Sequence, residues 1–197
     1  MSNQQRQIMI YRTPYSNFMD NNTFKEIIRQ IITDRAEALA RLHASGEYSR
    51  PSMGYAILDP TAPADIPTSQ TLMVLAEVGP EGERFGINAR AKAFEHRNLN
   101  ANCGVGVFVS QHRLQQGAFR FGFSADVDGT IVGASGASSI QDRREATILG
   151  ADFNYRVQQF IEKWKNAKEN KEGWWMNNDN IPDRRYTEEI PDPLFTL

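Results

Sequence analysis

Three stretches of the chain place their hydrophobic residues at helical spacing, and several shorter ones place them at strand spacing. In TFKEIIRQIITDRAEALARLHASG, Phe24, Ile27, Ile28, Ile31, Leu39 and Leu42 fall on one face and predict an amphipathic helix. Thr23 with Glu26 has the spacing of a capping box at its start, and Gly46 suits a left-handed stop at its end. A second helix is expected from about Arg84 to Leu99. Its narrow apolar stripe, Ile87, Ala91 and Phe94, would face the sheet, with Arg90, Lys92 and Arg97 on the remaining faces. A long third helix, from about Ile140 to the region of Lys165, carries Ala146, Leu149, Phe153, Val157, Phe160, Ile161 and Trp164.

Five segments read as strands: MGYAILD (Met53 to Asp59), TLMVLAEV (Thr71 to Val78), VGVFVS (Val105 to Ser110), AFRFGFS (Ala118 to Ser124) and GTIVGAS (Gly129 to Ser135). PTAPADIP, from Pro60 to Pro67, cannot continue either kind of element and makes a loop. DVDG, Asp126 to Gly129, is a hairpin turn. Residues 1–21 are polar and broken by Pro14, so they read as an arm awaiting a partner surface. Residues 22–165 form the domain. Residues 166–197 lack periodicity but carry Trp174, Trp175, Tyr186 and Phe195, which predicts a tail packed on the domain or on a neighbouring subunit.

Charge narrows the function classes. The formal net charge is −2, with no basic block, so there is no electrostatic footprint for nucleic acid. No run approaches the roughly 18 apolar residues of a membrane span. The N-terminus lacks the pattern of a signal peptide. Cys103 is the single cysteine and cannot form an internal disulfide; a cytoplasmic location is expected. His43, His96 and His112 show no metal-ligand spacing and have no cysteine partner, so no metal site is expected.

Two places carry candidate chemistry. On the second helix, Lys92 lies one turn before His96 and close to Glu95, a set able to move protons or to form a merely solvated charged face. Arg90, at the margin of the apolar stripe, could reach a cleft and pair with a carboxylate. Asp59, closing the first predicted strand, is a further acid–base candidate, or simply begins a turn. The second place is VGASGASSIQD. Ser138 with Gln141, or Ser139 with Asp142, would cap the third helix; alternatively Gly133, Ser135, Gly136 and Ser139 would cradle the carboxylate of a ligand. The stretch lacks the lysine and spacing of a phosphate-binding loop.

The order of elements, the segment NARAKAF with Lys92, and the run Ile131 to Gly136 followed by Gln141 and Asp142 together resemble the GlcG/HbpS-like family, the so-called haem-degrading domain. The resemblance covers about Asn22 to Phe153. It implies a profilin-like α/β (α+β) fold: one antiparallel sheet of about five strands flanked by N-terminal, middle and long C-terminal helices, assembling into homo-oligomers. Some members bind haem. The expected function is then small-molecule binding, with haem or another carboxylate-bearing ring compound in a cleft between sheet and helices and Arg90 and Lys92 meeting its carboxylates. One alternative is a cofactor-independent enzyme on a small organic acid or metabolite, with Glu95, His96 or Asp59 moving protons. Another is an oligomeric assembly module built on the arm and tail.

Overall fold

The first predicted helix forms as α1, Asn21–Ala44, and buries Phe24, Ile27, Ile28, Ile31, Ile32, Ala36 and Leu39. Its cap differs from the expected capping box. Asp20 stands outside the first turn and accepts from the Asn22 and Thr23 N–H groups, both at 2.8 Å, and Thr23 Oγ1 donates to the same carboxylate. Those contacts satisfy two of the orphan donors of the first turn and hold the carboxyl below its usual pKa. Gly46 takes a left-handed φ of 80° just beyond the helix end.

The computed structural model describes residues 6–99 and 122–167. They contain one five-stranded sheet, antiparallel throughout: β1 (Arg6–Ile10), β2 (Met53–Leu58), β3 (Leu72–Val78), β4 (Ser124–Val127) and β5 (Thr130–Ser135), in the order β1-β3-β2-β5-β4. The helices are α1, α2 (Gly82–Leu99) and α3 (Ser139–Asn166). The chain is an α+β protein. Contact density divides it at Gln158/Gln159, inside α3. In the second unit, the described residues are the end of that helix, where Lys165 pairs with Glu162 and Lys163 lies over the Phe160 ring.

The expected N-terminal arm is corrected at this point. Arg6–Ile10 is the edge strand of the sheet, paired with β3 over Arg6↔Val78 to Ile10↔Val74, and it belongs to the same unit as the core. Polar residues up to Gln7 followed by Ile8, Met9 and Ile10 show no period-two alternation, so this edge strand gave no signal. The strand expected at Val105 to Ser110 and the tail aromatics lie outside the described residues. The strand expected at Ala118 to Ser124 also lies mostly outside them; β4 begins where it ends. The β4–β5 hairpin closes on Asp128 and Gly129, both at positive φ (49° and 83°), as a two-residue turn of the type that matches strand twist.

Strand parity separates the two faces of the sheet. Met9, Leu75, Ala56 and Gly133 align across it towards α2, where Ala56, Leu58, Leu72, Leu75, Ala89 and Ala93 form one hydrophobic cluster with Met9, Phe94 and Ile131 packed against it. Tyr55, Ile57 and Val132 point to the opposite face, where α3 lies against the sheet and α1 meets α3 through Phe24 and Phe153. The result is a three-layer arrangement, α2 on one face and α1 with α3 on the other. Helix α2 lies unusually close to the sheet. A β-carbon at Gly54 would come 2.2 Å from the Gly86 nitrogen, and one at Gly133 would come 2.0 Å from the Ala89 oxygen. Small residues on both partners permit this approach, and it decides which face of α2 is buried.

Candidate functional site

That buried face is not the expected stripe. Phe85, Gly86, Ala89, Lys92, Ala93 and His96 turn inward, while Ile87 is 53% exposed. A helix docked on backbone selects small residues for its contact side, so Ile87 and Ala91 are displaced to the flank, while Phe94 is half-buried and still packs against the hydrophobic cluster. The expectation that Lys92 stands off the core is therefore overturned. Lys92 is 1% exposed, and its Nζ donates to Asp142 Oδ2 at 2.6 Å and to the Ala134 carbonyl at 2.9 Å. This ammonium ties α2 to the end of β5 and the first turn of α3. Burial pushes the Asp142 carboxyl up, while the Lys92 charge and backbone donors pull it back.

The glycine–serine junction is filled by the chain itself. Asp142 Oδ1 accepts from the Ala137 N–H at 2.9 Å. Gln141 Oε1 accepts from Ser138 N–H and Oγ–H, and Ser138 Oγ accepts from Gln141 N–H at 3.4 Å. Of the two caps considered, Ser138 with Gln141 is the one that forms. Positions next to Gly133 and Gly136 are taken by the Ala89 carbonyl and by Ser52 and Met53; Ser135 is buried and Ser139 half-buried. The anion that the helix start receives is Asp142.

The three proton-transfer candidates engage different partners. His96 Nδ1 shares a 2.6 Å hydrogen bond with Ser124 Oγ, and burial lowers its pKa against the opposing charge of Asp126. Glu95 is half-buried on the neighbouring face. Asp59 is 1% exposed; its Oδ1 accepts from Thr61 N–H and Oγ1–H at 2.8 and 2.7 Å. Its Oδ2 lies 3.1 Å from Arg12 Nε, close enough for ion pairing yet not aligned as a hydrogen bond, so this buried oxygen has no hydrogen-bond donor among the described residues. The Asp59 charge also contributes, after burial, to holding the Tyr15 phenol up to about 12.

A buried network absent from the sequence reading lies on the α1 and α3 side. Glu145 has a fully buried side chain and accepts from Arg35 Nε and Nη2, from Tyr48 Oη and from Tyr55 Oη, all at 2.8–3.0 Å. Burial and the adjacent carboxylate push the Tyr48 phenol up to about 12 and Tyr55 well above its ordinary range. Four groups saturate one another there, which makes the network a joint between layers. Its signal was in the sequence: Glu145 interrupts the apolar stripe of α3 beside Ala146 and Leu149.

An open cleft lies on the flank of α2. Ile87, Arg90, Ala91 and Phe94 form one wall; Leu72 with Ser69 and Gln70 of the 3-10 turn Thr68–Thr71 and Tyr11 with Arg12 form the others. The space is about 870 Å³ and the lining is mostly apolar. Tyr11 and Ile87, both more than half exposed, are on its walls. The cleft thus holds Arg90 of the expected ligand residues and the Ile87, Ala91 and Phe94 stripe, but Lys92 is replaced by Arg12. Among the described residues no cluster of potential metal ligands occurs, and no helix is long and apolar enough to cross a membrane. Comparison with known proteins finds no matching family model, no similar curated protein and no similar solved structure.

Proposed function

We propose that the protein binds a small apolar molecule bearing a carboxylate, held in the cleft between α2 and the segment that follows β1. The observation that supports this most is that two arginines from distant parts of the chain, Arg12 and Arg90, converge on a mostly apolar cleft of about 870 Å³. A volume of that order suits a drug-sized ligand, and a few placed polar groups on apolar walls are the usual composition of such sites. Phe94, Ile87 and Leu72 would cover a ring while a guanidinium pairs with the carboxylate. The resemblance to the GlcG/HbpS-like family and its profilin-like fold points the same way.

Haem meets the carboxylate requirement through its propionates, but the iron finds little. Described residues on the cleft include no imidazole or thiolate, His96 is engaged with Ser124, and Tyr11 offers the lone phenol. The donor set favours a metal-free ring compound. Fluorescence titration with anilinonaphthalene sulfonate, an apolar anion, tests the reading. Arg90→Gln removes one charge-assisted contact, worth about 1.5–3 kcal/mol, and should weaken binding roughly 10- to 100-fold. Unchanged affinity in Arg90→Gln would refute it.

A further inference from the structure

The two arginines of the cleft are not equivalent. Arg12 Nε faces the buried Asp59 carboxylate at 3.1 Å, and Arg12 Nη1 donates to the Gln70 carbonyl at 2.6 Å. Asp59 is itself fixed by two contacts from Thr61 and by its own N–H to the Thr71 carbonyl at 2.7 Å. A carboxylate so buried and so held stays beside Arg12 whatever enters the cleft. Among the described residues the lining contributes two cations and no carboxylate, and Asp59 behind it cancels one of them. Arg90 supplies the remaining charge.

Resting on the function proposed above, we infer that the cleft selects a monoanion, an apolar monocarboxylate, and that Asp59 is the residue that sets this preference. Arg90 pairs with the ligand's carboxylate. Arg12, compensated and anchored, offers its remaining N–H groups to a neutral acceptor such as a carbonyl or hydroxyl oxygen. A second carboxylate placed beside Arg12 would lose its hydration and meet an ion pair rather than a free cation, a poor exchange. Asp59 is thus a positioning residue that acts through Arg12.

Isothermal titration of the full chain with 2-naphthoate and with 2,6-naphthalenedicarboxylate tests this directly. The monocarboxylate should bind at least about tenfold more tightly to the wild type. In Asp59→Asn, which keeps the shape and frees the Arg12 charge, the gap should close to within about threefold or invert. Equal or tighter binding of the dicarboxylate by the wild type would overturn the inference while leaving carboxylate binding in the cleft standing. So would an unchanged ratio in a folded Asp59→Asn protein. Binding of neither probe would overturn both readings. The wild-type ratio is decisive by itself if Asp59→Asn does not fold.

Discussion

Replacing Lys92 by Met tests whether this lysine is a joint or a ligand group. Met keeps the length and apolar stem of the side chain but removes the ammonium from Asp142 and from the Ala134 carbonyl. Both partners are within 5% of full side-chain burial, so neither solvent nor rearranged water screens the loss. Removing one member of such a pair costs about 3–5 kcal/mol. In a unit of this size each kcal/mol lowers the melting temperature by about 2–4 °C, which gives a drop of roughly 6–20 °C. The assay is urea denaturation followed by circular dichroism, with a thermal scan alongside.

The pH dependence of that loss has a definite sign. Without Lys92 the folded-state pKa of Asp142, already raised by burial, rises further. An acid with a raised folded pKa contributes stability below its unfolded pKa and loses it as pH rises through the folded one. The deficit of Lys92→Met relative to wild type should therefore be smallest below the unfolded carboxyl pKa of about 3.9 and grow as pH rises above it. Adding Asp142→Asn keeps an acceptor for the Ala137 N–H and removes the orphaned charge, so the double variant should recover part of the loss. A loss below about 1 kcal/mol in Lys92→Met, flat with pH and additive with Asp142→Asn, would refute the joint.

Three further outcomes follow from the same geometry. Tyr55→Phe removes one hydrogen bond from buried Glu145 and should lower stability by about 1.5–3 kcal/mol in denaturant titration, without altering probe affinity in the cleft. Gly54→Ala forces a methyl group into the backbone of Phe85 and Gly86 and should lower the melting temperature by more than an ordinary overpacking loss of about 1–3 kcal/mol. His96, whose folded pKa is lowered by burial, binds fewer protons folded than unfolded, so its contribution is present above its unfolded pKa and lost as pH falls through the folded one; His96→Gln should flatten the stability decline measured by urea titration below about pH 6.5.

Periodicity made much of the fold legible. The faces of α1 and the first part of α3 follow from Phe24 to Leu39 and from Ala146 to Val157, and the Asp128–Gly129 turn follows from its dipeptide. The face of α2 was not legible, because the small residues of Gly54 and Gly133 on the sheet admit its backbone and bury Ala89 and Ala93 where larger residues were expected. That rotation carried Lys92 inward and left Ile87, Ala91 and Phe94 on the cleft. Arg90 was expected at a cleft because it adjoins a stripe predicted to face the sheet; it lines one although Ile87 and Ala91 lie on the flank. Arg12 and Asp59 were not legible as a pair, since 47 positions of sequence separate residues that only the β1–β3–β2 order brings together.

The most direct test of the cleft is a map of amide shift changes in isotope-labelled protein on adding 2-naphthoate. The largest changes should fall on Tyr11 and Arg12, on Ser69 to Leu72, and on Ile87 to Phe94, and in Arg90→Gln they should need roughly 10- to 100-fold more ligand to appear. Changes centred instead on Gly136 to Ser139, or a map unaltered by Arg90→Gln, would contradict binding in the cleft.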